Sequence, residues 1–190
     1  MSLYTVLFSP ELYIEKITEK KLWLFSFLIL FFSTLSRLLV DLLCSSHKTG
    51  LIIIDIFLLK IFFNIAYLIL WSGWLYFTIS LFNPKTTNEK GASIFTGLIF
   101  LTQAPWLFIC AFVLPVSLLA PEISKIWKNV FIFLFFIWSV LLQIKILTNF
   151  KNTNFFRGLV HIICAYLTFF LFNMLALGGK FFSVLFSLLL

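Results

Sequence analysis

The chain has 190 residues, of which 62% are hydrophobic, 20% aromatic and only 11% charged, with a mean hydropathy of +1.11. A soluble domain of this length is about half apolar and about a quarter charged, so an ordinary water-soluble globular domain is excluded. The net charge of +7 comes from basic residues at the ends of apolar runs. The membrane interface accounts for them there, and no nucleic acid is expected as a partner.

The apolar residues form unbroken runs of about twenty, the length a helix needs to cross about 30 Å of hydrocarbon. Residues 22–32 and 130–138 do not alternate with period two, so the spans are helices rather than barrel strands. The expectation is an all-α, polytopic transmembrane helix bundle of about five spans over residues 22–180. Residues 1–21 form an N-terminal cytoplasmic or interfacial segment, and 181–190 an apolar C-terminal tail.

In chain order, Ser9-Pro10-Glu11 reads as a helix start, with Ser9 as N-cap and Pro10 at the first helical position. Tyr13, Ile14 and Ile17 can then share one face of a short interfacial helix. The first span is expected over residues 22–40, entered past Lys20, Lys21 and Trp23. No cleavable leader is expected, because this run is too long for a signal core and has no small-x-small cleavage site. Arg37 and Asp41 stand one turn apart at its exit and can pair or snorkel together. Residues 51–82 are too long for one crossing and are interrupted by Asp55 and Lys60. The economical division is an interfacial first part and a span over 61–81, in which Gly73 could admit a neighbouring helix. Asn83-Pro84 ends this region and a polar loop follows.

The third span is expected over 94–119, kinked or broken at Pro105 and again near Pro115, since each proline removes a backbone hydrogen bond. Gln103 stands beside Pro105, placed to satisfy a freed carbonyl or to reach another helix. Residues 121–128 read as a short connection, 129–147 as the fourth span with Gln143 inside it, and 158–177 as the fifth. Lys and Arg favour the side holding the N-terminus (Lys16, Lys20, Lys21) and the second and fourth loops (Lys85, Lys90, Lys145, Lys151, Arg157). The opposite side holds Arg37, Lys48, Lys125, Lys128 and Lys180, with Lys60 unassigned. The bias predicts a cytoplasmic N-terminus and an outside C-terminus.

Ionisable residues in a membrane are costly, and Arg37, Asp41, Asp55 and Lys60 are the candidates for a partner, lipid or ion site. Their alternative role is structural ion pairing near span ends. Gln103, Pro105 and Gln143 complete the candidate set as helix-packing or partner positions; Asn64, Ser72 and Thr78 are expected to join helices. His47 lies in a loop and His161 in the fifth span, and no acidic residue stands near His161 in sequence to orient a base. The cysteines Cys44, Cys110 and Cys164 have no metal-ligand spacing. There is no phosphate loop and no nucleophile elbow. No catalytic residue, cofactor or metal ligand is therefore expected.

Several positions together resemble the Yip family of Ypt/Rab-interacting membrane proteins, in a bacterial-type relative. They are Ser9-Pro10-Glu11, the run Lys90-Gly91-Ala92-Ser93-Ile94-Phe95, Gln103-Ala104-Pro105, and the stretch from Trp138 through Gln143 and Lys145 to the turn at 151–158. The resemblance implies five spans, a cytoplasmic N-terminus and a non-enzymatic adaptor or organiser of a membrane complex in a bacterial inner membrane. The partners implied are the lipid bilayer and a membrane protein or second copy of the chain. The long acidic N-terminal region of the eukaryotic members is missing, which counts against Rab binding. A transporter or channel subunit with its site at the broken third span is the rival reading, and a membrane-embedded lipid enzyme ranks last.

Overall fold

The computed structural model describes residue 8 and residues 19–44, 50–82, 89–151 and 154–177, with backbone alone at several helix ends. Among these residues every regular element is helical. Helix α1 is Glu19–Cys44, α2 Gly50–Phe82 and α3 Glu89–Leu101; a short 3-10 segment, Ala104–Phe108, leads into α4, Ile109–Leu119. Helix α5 is Pro121–Lys151 and α6 Phe155–Leu177. Five stretches are long and apolar enough to cross a membrane: Glu19–Leu42, Phe57–Leu81, Gly91–Leu119, Ile126–Phe150 and Phe155–Phe172. The third span thus consists of α3, the 3-10 segment and α4. The interfacial helix expected before residue 19, the loop at 83–88 and the tail from 178 fall outside the described residues, apart from Phe8.

The third span is the centre of the bundle, 61% buried against 17% for the fifth. Helix α1 packs along all three of its parts, α2 flanks α3, and α5 packs on α4 and α6. The main core joins Leu30, Trp71, Leu75, Phe95, Phe100 and Ile144 from four helices. A second cluster, Val40, Trp106, Ile109, Val113 and Phe135, lies beside the break in the third span.

Helix α1 shows why these spans associate. Its Ser26, Ser33, Thr34 and Ser36 are buried while Leu24, Leu28 and Phe32 are exposed. Lipid is as apolar as leucine, so burial of apolar surface does not drive association; close packing and interhelical hydrogen bonds do. Ser26 Oγ donates to the Gly97 carbonyl at 2.8 Å. Glycine makes room for α1 there, since a Cβ on Gly97 would sit 3.0 Å from Leu22 Cγ and Cδ2 and press that side chain aside. The predicted approach at Gly73 is not found: it is exposed, with nothing within 4 Å of a built Cβ. Gly97 and Gly158 take that role, with Gly158 against Thr148 and Ile144.

Two boundaries differ from expectation. Residues 121–128 are helical, and Ala120, non-helical at φ −146° and ψ 74°, is the whole break between α4 and α5. Proline at the first helical position needs no N–H bond and is pre-set for the helix, so Pro121 starts α5 rather than lengthening a loop. The second apolar region is one continuous helix of 33 residues, about 50 Å long, which exceeds the hydrocarbon thickness by about 20 Å. No residue in it breaks the backbone ladder, so its first part, which carries Asp55, continues the helix beyond the span.

Candidate functional site

The third span loses its helical pattern where Gln103 and Pro105 predict it. Pro105 has no N–H to give the Leu101 carbonyl. Tighter turns replace the α-helical pattern, with Thr102 N–H donating to Ile99 O, Gln103 N–H to Phe100 O and Trp106 N–H to Gln103 O, each at 3.1 Å. Helix α1 completes the repair. Ser36 Oγ donates to the Leu107 carbonyl at 3.1 Å and accepts the Cys110 N–H at 3.2 Å. One hydroxyl therefore serves a backbone acceptor and a backbone donor at the break, as backbone at membrane depth requires.

Arg37 lies one residue further along α1. Its Nη2 donates to Gln103 Oε1 at 2.6 Å, and its guanidinium lies 3.7 Å from the centroid of the Trp106 ring. Trp106 is held in turn by its indole N–H, which donates to Ser139 Oγ of α5 at 3.1 Å. A flat, weakly hydrated guanidinium suits an aromatic face and an amide acceptor in a low-dielectric site. Arg37 Nε is buried with no hydrogen-bond partner.

Asp41 takes a different set of partners from the one the sequence suggests. Its carboxylate accepts from Lys60 of α2 through one oxygen and from Lys128 of α5 at 2.6 Å through the other. These are the ion pairs among the described residues; Arg37 and Asp41 do not pair with each other. Gln103 and Trp106 hold the arginine, and the two lysines occupy both carboxylate oxygens. Lys60, Lys128 and Asp41 side chains are 15%, 18% and 24% exposed, so the cluster is partly buried where α1, α2 and α5 meet. A cavity of about 10 Å³ beside it, lined by Arg37, Asp41, Trp106 and Lys128, has room for about one water.

Of the predicted site residues, the structure joins Arg37 to Gln103 beside Pro105 at the break, and Asp41 to Lys60 one turn further along α1. The Asp55 side chain lies outside the described residues, although its backbone belongs to α2. Gln143 is elsewhere, accepting the Trp71 indole N–H at 3.2 Å, with Trp71 stacked on Tyr166 at 4.2 Å between centroids. Asn64 donates to Thr34 at 3.0 Å and Ser72 to Thr96 at 3.2 Å, joining α2 to α1 and α3 as expected. Thr78 bonds only its own helix, to the Leu75 carbonyl. Sequence reasoning missed Ser36, Trp106 and Lys128. The residue order's cue for Ser36 is the adjacent arginine, and Lys128 stands not in a connection but in the first turns of α5.

A second concavity, of about 540 Å³, opens sideways along α1 and the break, lined by Phe25, Phe32, Leu39, Leu107 and Cys110 among others. Its one polar neighbour, Ser36, is already committed to backbone. Among the described residues no three His, Cys, Asp or Glu side chains group as metal ligands. Cys110 and Cys164 are free thiols. No family model matches the chain, and no curated protein and no solved structure matches it significantly.

Proposed function

We propose that the chain is a non-enzymatic, Yip-like membrane protein that organises a membrane complex by lateral contact. One observation carries this reading. Most of the polar side chains buried in the bundle join its own spans or bond their own helix, while the fifth span turns most of its surface outward. Phe156, Val160, Ile163, Leu167 and Phe170 of α6 are all exposed, and that window is 17% buried. A closed interior and a broad apolar flank suit a scaffold that meets another transmembrane helix. The basic bias of the N-terminal side supports a cytoplasmic N-terminus and an outside C-terminus, in a bacterial inner membrane. With α2 continuous, Lys60 joins Asp41 and Lys128 on the opposite side, which narrows that bias without reversing it.

Cross-linking in native membranes, from cysteines placed at Ile163 and Leu167, tests the reading. A discrete adduct with one membrane protein or a second copy is expected; lipid-only labelling at both positions would sink it.

The transporter reading has one specific observation in its favour, the break at Gln103 and Pro105 in the central span, since broken helices form many transport sites. The enclosed cavity beside Arg37 and Trp106 has room for about one water, and the larger concavity along the break is apolar and opens sideways, which supports the closed-scaffold reading instead. Solute flux in proteoliposomes that disappears in Gln103→Leu would reverse this order.

A further inference from the structure

The cluster at the ends of α1, α2 and α5 has more cations than its carboxylate can balance. Arg37, Lys60 and Lys128 contribute three positive charges and Asp41 one negative. The other acidic residue whose side chain is described, Glu19, stands at the far end of α1 and accepts from Ser93; the side chains of Asp55 on α2 and Glu122 on α5 lie outside the described residues. We infer that this end of the bundle is an anion site for a phosphate group, supplied by an anionic phospholipid headgroup or by free phosphate, with Lys60 and Lys128 as its direct donors.

Depth, geometry and charge agree on this. Asp41 is next to the last residue of Glu19–Leu42, Lys60 the fourth of Phe57–Leu81 and Lys128 the third of Ile126–Phe150. All three therefore lie within about 5 Å of the same membrane face, at the level of phosphates rather than acyl chains. Both lysines remain partly exposed, so an incoming oxygen can reach them. Each ammonium has three N–H donors, one of which goes to Asp41. The remaining donors suit a phosphate, whose several oxygens accept charge-assisted bonds from neighbouring cations. Basic pockets between transmembrane helices recognise anionic head groups in this way.

The roles within the site differ. Asp41 holds the two ammoniums side by side and cannot neutralise both. Arg37 is held on Gln103 and Trp106; with no carboxylate of its own, it adds positive field beneath the pair. The site does not depend on the organiser role, because a scaffold and a channel would both leave this excess charge.

Native mass spectrometry of the full chain, stripped of lipid in a neutral detergent, tests the inference. The probes are phosphatidylglycerol, phosphatidylcholine and, separately, inorganic phosphate followed by thermal shift. Retention of phosphatidylglycerol about ten-fold above phosphatidylcholine is expected, a difference the Lys60→Gln/Lys128→Gln double variant abolishes. The Lys60→Arg/Lys128→Arg variant keeps the charge and should keep the preference, as should Lys145→Gln at the other face. Phosphatidylglycerol retention without a response to inorganic phosphate assigns the site to lipid. A thermal shift with inorganic phosphate, lost in the double variant, assigns it to free phosphate. Equal retention of the two lipids by the unmodified chain with no phosphate response overturns the inference, and needs no variant to fold. So does an anionic preference that survives the double Gln substitution in protein with native helicity and elution volume.

Discussion

Arg37 Nη2 donates a 2.6 Å hydrogen bond to Gln103 Oε1, joining residues 66 positions apart in sequence. The bond fastens the first span to the one place where the central span leaves the α-helix. A cation inside a membrane needs partners, and a broken helix needs its freed polar groups satisfied. Gln103 meets the first requirement, and Ser36, one residue before Arg37 on the same helix, meets the second.

Replacing Gln103 with Leu removes the acceptor and leaves the Arg37 cation with its aromatic contact alone. A loss of about 1.5–3 kcal/mol is expected, the range for hydrogen bonds to charged groups. Thermal unfolding in detergent measures it. Gln103→Glu should retain most of the stability, because a carboxylate accepts the same bond; equal losses in both variants would show that shape rather than pairing matters here.

Asp41→Asn leaves Lys60 and Lys128 facing each other without their shared carboxylate. Breaking a buried pair by removing one partner costs about 3–5 kcal/mol. The upper figure is an over-estimate here, since the three side chains are 15–24% exposed and water screens part of it. Adding Lys128→Met to Asp41→Asn should recover part of the loss. Additive losses in denaturation midpoints would argue that the residues act independently.

Ser36→Ala strips a partner from both the Leu107 carbonyl and the Cys110 amide. An unsatisfied buried group costs about 1–3 kcal/mol. The local readout is amide exchange, which should accelerate at residue 110 before the rest of the third span. Unchanged exchange there would mean that another group, such as a water, already serves this backbone.

Three glycines should rank in order. At Gly158 an added Cβ would lie 2.6 Å from Thr148 Cγ2, a branched side chain with little freedom at χ1. Gly158→Ala is expected to cost about 1–3 kcal/mol by overpacking. Gly97→Ala meets Leu22 at 3.0 Å and should cost less. Gly73→Ala meets nothing within 4 Å and should be neutral, or stabilising by about 0.5–1 kcal/mol from helix propensity. Melting temperatures of the three variants give the ranking directly.

Cys44 ends α1 at the opposite end from Glu19. In a Cys110→Ala/Cys164→Ala background, a membrane-impermeant thiol reagent should label Cys44 from outside intact cells. A cysteine at Lys20 should react only after the cells are opened. The reverse pattern would invert the proposed orientation.

The number and approximate limits of the spans were legible from residue order alone. Their signal is local: a run of about twenty apolar residues has few other places to be. The break at Gln103 and Pro105 had an equally local signal, a missing N–H, but Pro115 carries the same signal inside the continuous α4, so a proline alone does not decide a break. Pro121 carried a local signal too, as a helix start, and was misread as part of a connection.

Which polar groups meet is a different kind of fact. Residue order placed Arg37 and Asp41 one turn apart and suggested that they pair, yet each bonds to other helices. It offered Gly73 as a contact point, yet Gly97 and Gly158 are the ones that are crowded. Helical register says which residues share a face but not which helix that face meets. Lys128 reaches Asp41 across 87 positions and Ser36 reaches Leu107 across 71. Residue order by itself determined a helical, membrane-spanning chain with a broken third span. Only the tertiary structure decided that Asp41 meets Lys60 and Lys128 while Arg37 meets Gln103, because that depends on how α1, α2 and α5 come together in space.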